Sequence, residues 1–103
     1  MTHVTEVTLF FIKPQNGLIA FASLVLNDQL YLSGIGIHRK LDGSGYRLTY
    51  PTRIVGNGQK QIFHPIRKPL TDAIENAVFN KLKEVMSDVD DRYNRPNARP
   101  VHV

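Results

Sequence analysis

The chain has 103 residues, no cysteine and a formal net charge of +4. That length makes one domain with a modest core, for which assembly with a second copy is a natural complement. The missing cysteines exclude a disulfide framework, a cysteine nucleophile and thiolate metal sites and fit a reducing compartment, while 42% hydrophobic content with ordinary charge excludes a disordered chain.

Apolar runs such as LIAFASLVL fall far short of the roughly 20 residues a membrane span needs. The opening MTHVTEVTLFF has no basic segment before its apolar part, so no secretory leader and a cytoplasmic location are expected.

Val4 to Ile12 alternates, with Val4, Glu6, Thr8 and Phe10 on one face and Thr5, Val7, Leu9 and Phe11 on the other, which predicts a strand. Lys13 to Gly17 (KPQNG) is a turn signal. Leu18 to Leu26 is apolar on both faces and predicts a central strand covered on both sides. Asn27 to Gln29 turns the chain into a third strand, Leu30 to Arg39, whose apolar face reads as Tyr31, Ile35 and Ile37 and whose other face carries Gly34 and Gly36. Glycines inside a strand mark a bulge or a close backbone approach.

Lys40 to Gly45 is a loop with an Asp-Gly turn signal. Tyr46 to Val55 is a fourth strand interrupted at Pro51, which cannot donate to a ladder. Gly56 to Gly58 makes a hairpin turn into a fifth strand, Lys60 to His64, and Pro65 ends the sheet. Leu70, Ala73, Ile74, Ala77, Val78, Leu82 and Val85 then recur at helical spacing. Pro69 suits an early helical position, with Thr71 or Asp72 as the expected cap. After Ser87 the composition turns polar and proline-containing, which predicts a flexible tail.

The expected architecture is α+β: an antiparallel β-meander of about five strands followed by a C-terminal amphipathic helix. Residues 1–86 form the domain and 87–103 the tail. One helix covers one face of a sheet, so either the sheet curls or a second copy covers the rest; a homodimer is expected.

Catalytic chemistry has little to build on. His38 and His64 are not at a metal spacing and have no neighbouring carboxylate in sequence. No metalloprotease, nucleophile-elbow or phosphate-loop pattern appears, and the glycines of GIGIHRKLDGSG lack the order and the following helix of a dinucleotide site. Asp88, Asp90 and Asp91 lack the spacing and the glycine of a calcium loop. The chain reads as a non-enzyme without metal or cofactor.

What remains is charge placement. From Gly43 to Thr71 there is no Asp or Glu, while Arg47, Arg53, Lys60, Arg67 and Lys68 fall inside that window. A basic hairpin suits phosphate contact, and Tyr46 or Tyr50 offers a ring to stack on an unpaired base. The plainer alternative makes Tyr50, Ile54, Ile62 and Phe63 core residues and the cations a solvated face.

Five stretches carry a resemblance: AFASLVLND (Ala20 to Asp28), GIGI (Gly34 to Ile37), GYRLTYPTR (Gly45 to Arg53), GQKQIFHPI (Gly58 to Ile66) and IENAVFNKL (Ile74 to Leu82). In this order they resemble the SpoVG family of septation and stage V sporulation regulators, over about Val4 to Val85. The resemblance implies a small dimeric α+β protein that binds DNA, and in some members RNA, and modulates gene expression in division or sporulation programmes. Pro51, Thr52 and Arg53 match the family's Pro-Ser-basic step. Lys60 matches a basic or polar position before the closing motif His64, Pro65 and Ile66. The chain departs from the family at Ile54, where many members have a second basic residue, and at Gly34 and Gly36. Its loop adds Arg39 and Lys40. The expected nucleic-acid contacts are Arg53, Lys60, Arg67 and Lys68, with Arg47, Arg39, Lys40, Lys81 and Lys83 as contributors. The competing expectation is a protein-interaction module in which the charge only steers encounter.

Overall fold

The computed structural model describes residues 2–94, with side chains through Ser87. Four antiparallel strands form one sheet in chain order: β1 (Val4–Gln15), β2 (Leu18–Leu26), β3 (Leu30–Arg39) and β4 (Tyr46–Thr49). β5 (Thr52–Val55) and β6 (Gly58–Gln61) form a separate two-stranded sheet, and α1 (Lys68–Asn94) follows. The α+β meander is thus as the sequence predicts. Its fourth predicted strand is cut at Pro51 into two strands that belong to different sheets.

The turns follow from backbone chemistry. Asn16 and Gly17, at φ 52° and 91°, make a two-residue hairpin with both central residues left-handed, the conformation Asn-Gly prefers. This lengthens β1 through Gln15, where the sequence suggested a turn from Lys13. Asn27 and Asp28 take the same region at φ 53° and 56°, and the Asn27 side chain accepts from the His3 backbone N–H at 2.8 Å.

α1 covers one face of the sheet. Ile74, Val78 and Leu82 recur every four residues and pack with Ala20, Ala22, Leu24, Ile35 and Ile37, all nearly solvent-free. Burial of a Val, Leu or Ile side chain contributes about 1.5–3 kcal/mol, so this stripe holds helix to sheet. Phe79 also packs against this cluster, although it lies outside the expected periodic set. The helix starts at Lys68, so Thr71 and Asp72 lie inside it and do not cap it; the Thr71 hydroxyl donates to the Arg67 carbonyl at 3.2 Å. The helix runs to Asn94, beyond the predicted boundary at Ser87, and residues 95–103 of the expected tail lie outside the described residues.

Two bulges reassign faces. Between the pairs Thr5↔Val25 and Thr8↔Ser23, β1 advances one residue more than β2, at Glu6 with φ 52°. Between Ala22↔Ile35 and Leu24↔Leu32, β3 carries the extra residue, at Gly34 with φ 78°. The first bulge puts Val4 on the helix side with Leu9, not with Phe10. The second sends Tyr31 to the face opposite Ile35 and Ile37, against the alternation expected from sequence. The uncovered face therefore gathers Phe10, Phe21 and Tyr31, which are 71%, 36% and 66% exposed. β2 is covered by α1 on one side only, so the two-sided coverage expected for it is not met within one chain.

Candidate nucleic-acid interface

The β5–β6 hairpin leaves the domain at a narrow neck. The Ile62 N–H donates to the Pro51 carbonyl at 2.7 Å, and Gly56 turns the tip at φ 61°. All eight strand residues are exposed, so the hairpin is an arm with water on both faces. Arg53 stands opposite Lys60 in the register, and Ile54 opposite Gln59. Directly opposed residues share a face, so Arg53 and Lys60 project together, while Thr52, Ile54, Gln59 and Gln61 line the other side. Like charges placed opposite each other repel, and an anionic ligand relieves that repulsion.

A second group of cations borders the far end of the sheet. Arg39 pairs with Tyr46 and His38 with Arg47 across β3 and β4. Arg39, Lys40 and Arg47 line one cleft of about 420 Å³ with Asn16, Leu41 and Asp42. Asp42 accepts from the Ser44 backbone N–H at 2.9 Å, and hydrogen bonding to Ser44 holds its carboxyl below the usual range. Among the described residues none of the three cations has an ion-pair partner.

His38 sits beside this cleft. Its Nε2 lies 2.9 Å from the Thr49 hydroxyl, across Gly36. Burial, and then the charge of Arg47, keep the imidazole pKa below its ordinary value. Its contact with Thr49 makes it a structural residue. His64 is exposed, and its Nδ1 lies 3.2 Å from the Pro65 carbonyl.

The remaining predicted contacts are scattered. Arg67 is exposed just before α1. Lys68 reaches Asp72 at 3.1 Å, one helical turn on, so part of its charge is answered within the chain. Lys81 lies 3.8 Å from Glu84, and Lys83 borders a largely apolar groove with Tyr46, Phe79, Leu82 and Met86. Neither tyrosine of the basic window is free to stack: Tyr46 and Tyr50 pack against the core, and Tyr50 meets Phe63 edge-on at 6.0 Å. Ile54 and Ile62, expected in the core by the plainer reading, are 75% and 60% exposed. The sequence reading missed Asn16 as a cleft residue. Its signal was the Asn-Gly pair, which fixes a tight turn but says nothing of what the turn faces.

Among the described residues no three His, Cys, Asp or Glu side chains gather as a metal site, and no helix is long and apolar enough to cross a membrane. The fold and its charges define a small α+β protein with a basic hairpin arm and a basic cleft. No family model matches the chain. A SpoVG septation protein of Finegoldia magna is 35% identical over 83 residues, spanning 79% of this chain and 74% of the relative. A SpoVG septation protein of Archaeoglobus fulgidus is 27% identical over 86 residues, spanning 82% of this chain and 98% of the relative. The chain belongs to the SpoVG family.

Proposed function

We propose that this chain is a dimeric, non-enzymatic regulator that binds nucleic acid through its basic arm and thereby modulates gene expression tied to septation or sporulation. The observation that carries the reading is the opposed pair Arg53 and Lys60 on a fully exposed hairpin, within a stretch free of carboxylates from Gly43 to Thr71. A two-stranded ribbon fits a DNA major groove, and cations on one of its faces meet phosphates while amides on the other reach base edges or sugars. Gln59 and Gln61 supply such amides. The septation names of both relatives support the cellular role.

A second copy completes the protomer in this reading. Phe10, Phe21 and Tyr31 leave an apolar face uncovered, and burying it against its own counterpart gives an isologous contact. The resulting assembly presents two arms. It works in the cytoplasm, where its nucleic-acid target is.

Fluorescence anisotropy with duplex DNA, single-stranded DNA and RNA across a salt series tests the reading. Binding to at least one of them, falling steeply with salt, is expected. Affinity independent of salt contradicts it. The same exposed apolar face supports a second reading, a protein-docking module. That reading predicts copurification with a protein and no nucleic-acid binding at low salt.

A further inference from the structure

We infer that the cleft between the β1–β2 turn and the β3–β4 loop is a second phosphate cradle, separate from the arm, that grips the backbone of the same nucleic acid. The inference rests on the nucleic-acid reading and adds to it that three of the expected contributors form one separate site.

Three cations, Arg39, Lys40 and Arg47, surround one cavity of about 420 Å³ against a single carboxylate, Asp42. That carboxylate accepts from the Ser44 backbone and closes the loop; it feels the Lys40 charge but forms no ion pair with any of the three cations. Clustered like charges cost free energy until a counter-ion joins them, and a phosphodiester, with one charge shared by two oxygens, suits arginine and lysine donors that reach it from either side.

The backbone beneath the cations is locked. The Arg39 N–H donates to the Gly17 carbonyl at 2.7 Å, the Lys40 N–H to the Gly45 carbonyl at 2.9 Å, and the Gly43 N–H to the Lys40 carbonyl at 3.0 Å. A Cβ on Gly17 would come within 3.1 Å of the Arg39 carbonyl oxygen, so glycine lets the two turns approach. The amide of Asn16 borders the cavity from the other side and adds a neutral donor.

The cleft lies within reach of the arm. The arm's root at Pro51 packs beside Gly34, where a Cβ would lie 3.6 Å from that of Pro51. Gly34 to Arg39 is five strand residues, or about 17 Å at about 3.3 Å each. That span is short against a 20-base-pair duplex, about 68 Å long at about 3.4 Å per base pair. One nucleic acid is long enough to reach both.

The test uses the full chain and a labelled 20-base-pair duplex, with a single-stranded RNA of equal length as second probe. The variant Arg39→Gln/Lys40→Gln/Arg47→Gln is expected to bind the better probe about tenfold more weakly, with the salt slope reduced by about 1 for one phosphate lost. A second variant, Leu41→Glu, sets a carboxylate on the fully exposed rim and is expected to weaken binding several-fold at unchanged melting temperature. If the triple variant loses its cooperative melt, Leu41→Glu decides alone. Unchanged affinity and slope, while Arg53→Ala/Lys60→Ala binds weakly, overturn the cradle and leave the arm reading intact. Absence of wild-type binding to either probe at low salt overturns both.

Discussion

Gly36 lies in β3 where three side chains converge, and its replacement by alanine has a sign that magnitudes decide. An added Cβ would stand 2.6 Å from the Thr49 hydroxyl oxygen, 3.2 Å from His38 Nε2 and 3.2 Å from a Leu18 methyl. In open space, Gly→Ala within a strand stabilises by about 0.5–1 kcal/mol, because glycine loses more backbone freedom on folding. Here the Cβ splits the hydrogen bond between His38 and Thr49, worth about 1 kcal/mol, and overpacks the site at about 1–3 kcal/mol. The unfavourable terms win. Gly36→Ala is expected to lose about 1–3 kcal/mol in urea titrations, which is about 5–15 °C in melting temperature for a domain of this size. In a Thr49→Ala background the oxygen is gone, and the same substitution should cost about 1 kcal/mol less, read as a coupling in a double-mutant cycle. Gly36→Ala with unchanged or raised stability refutes the close approach. An equal loss in both backgrounds refutes Thr49 as its cause.

Other substitutions probe the remaining layers. Leu82→Ala empties a 2% exposed position between helix and sheet and should cost about 2–5 kcal/mol by chemical denaturation; a loss under 1 kcal/mol contradicts the packing. His38 has a folded-state pKa below its ordinary 6.5, so the unfolded chain binds the proton more readily. Its contribution to stability is therefore present above about pH 6.5 and is lost as pH falls below it. His38→Gln should flatten the stability profile in that window, and a profile unchanged between pH 7.5 and 5.5 refutes the assignment. Phe10→Ser with Tyr31→Ser should shift the mass measured by light scattering toward one chain, with the protomer's own stability changed by under about 1 kcal/mol. A dimer that survives both substitutions locates the interface elsewhere.

The parts of the fold that follow local rules were legible. Asn-Gly and Gly-Asn-Gly named their turns, Pro51 named the break between β4 and β5, and the spacing of Ile74, Val78 and Leu82 named the helix face. The bulges at Glu6 and Gly34 were not, because an alternating pattern assumes one residue per step and a single extra residue flips every side chain beyond it. Tyr31 was therefore read onto the wrong face. The opposed pair Arg53 and Lys60 follows once the two-residue turn is known. The cleft did not follow from sequence, because it needs four segments: the β1–β2 turn, the end of β3, the β3–β4 loop and the start of β4. Arg39 and Arg47 are eight positions apart, and only the long β3–β4 loop and the adjacent turn bring them to one cavity.

The central claim is that the arm meets nucleic acid through Arg53 and Lys60. The most direct measurement is anisotropy of purified, nuclease-treated protein with labelled duplex DNA, single-stranded DNA and RNA, comparing wild type with Arg53→Ala/Lys60→Ala across a salt series. Both residues lie on the exposed arm, so the double variant should keep the wild-type melting temperature. The account predicts binding to at least one nucleic acid with a log–log salt slope of about −0.9 per phosphate contact on duplex DNA. In the double variant, affinity should drop across all sequences and the slope should shrink by up to about 2. Wild-type and variant curves that superimpose at every salt concentration contradict it.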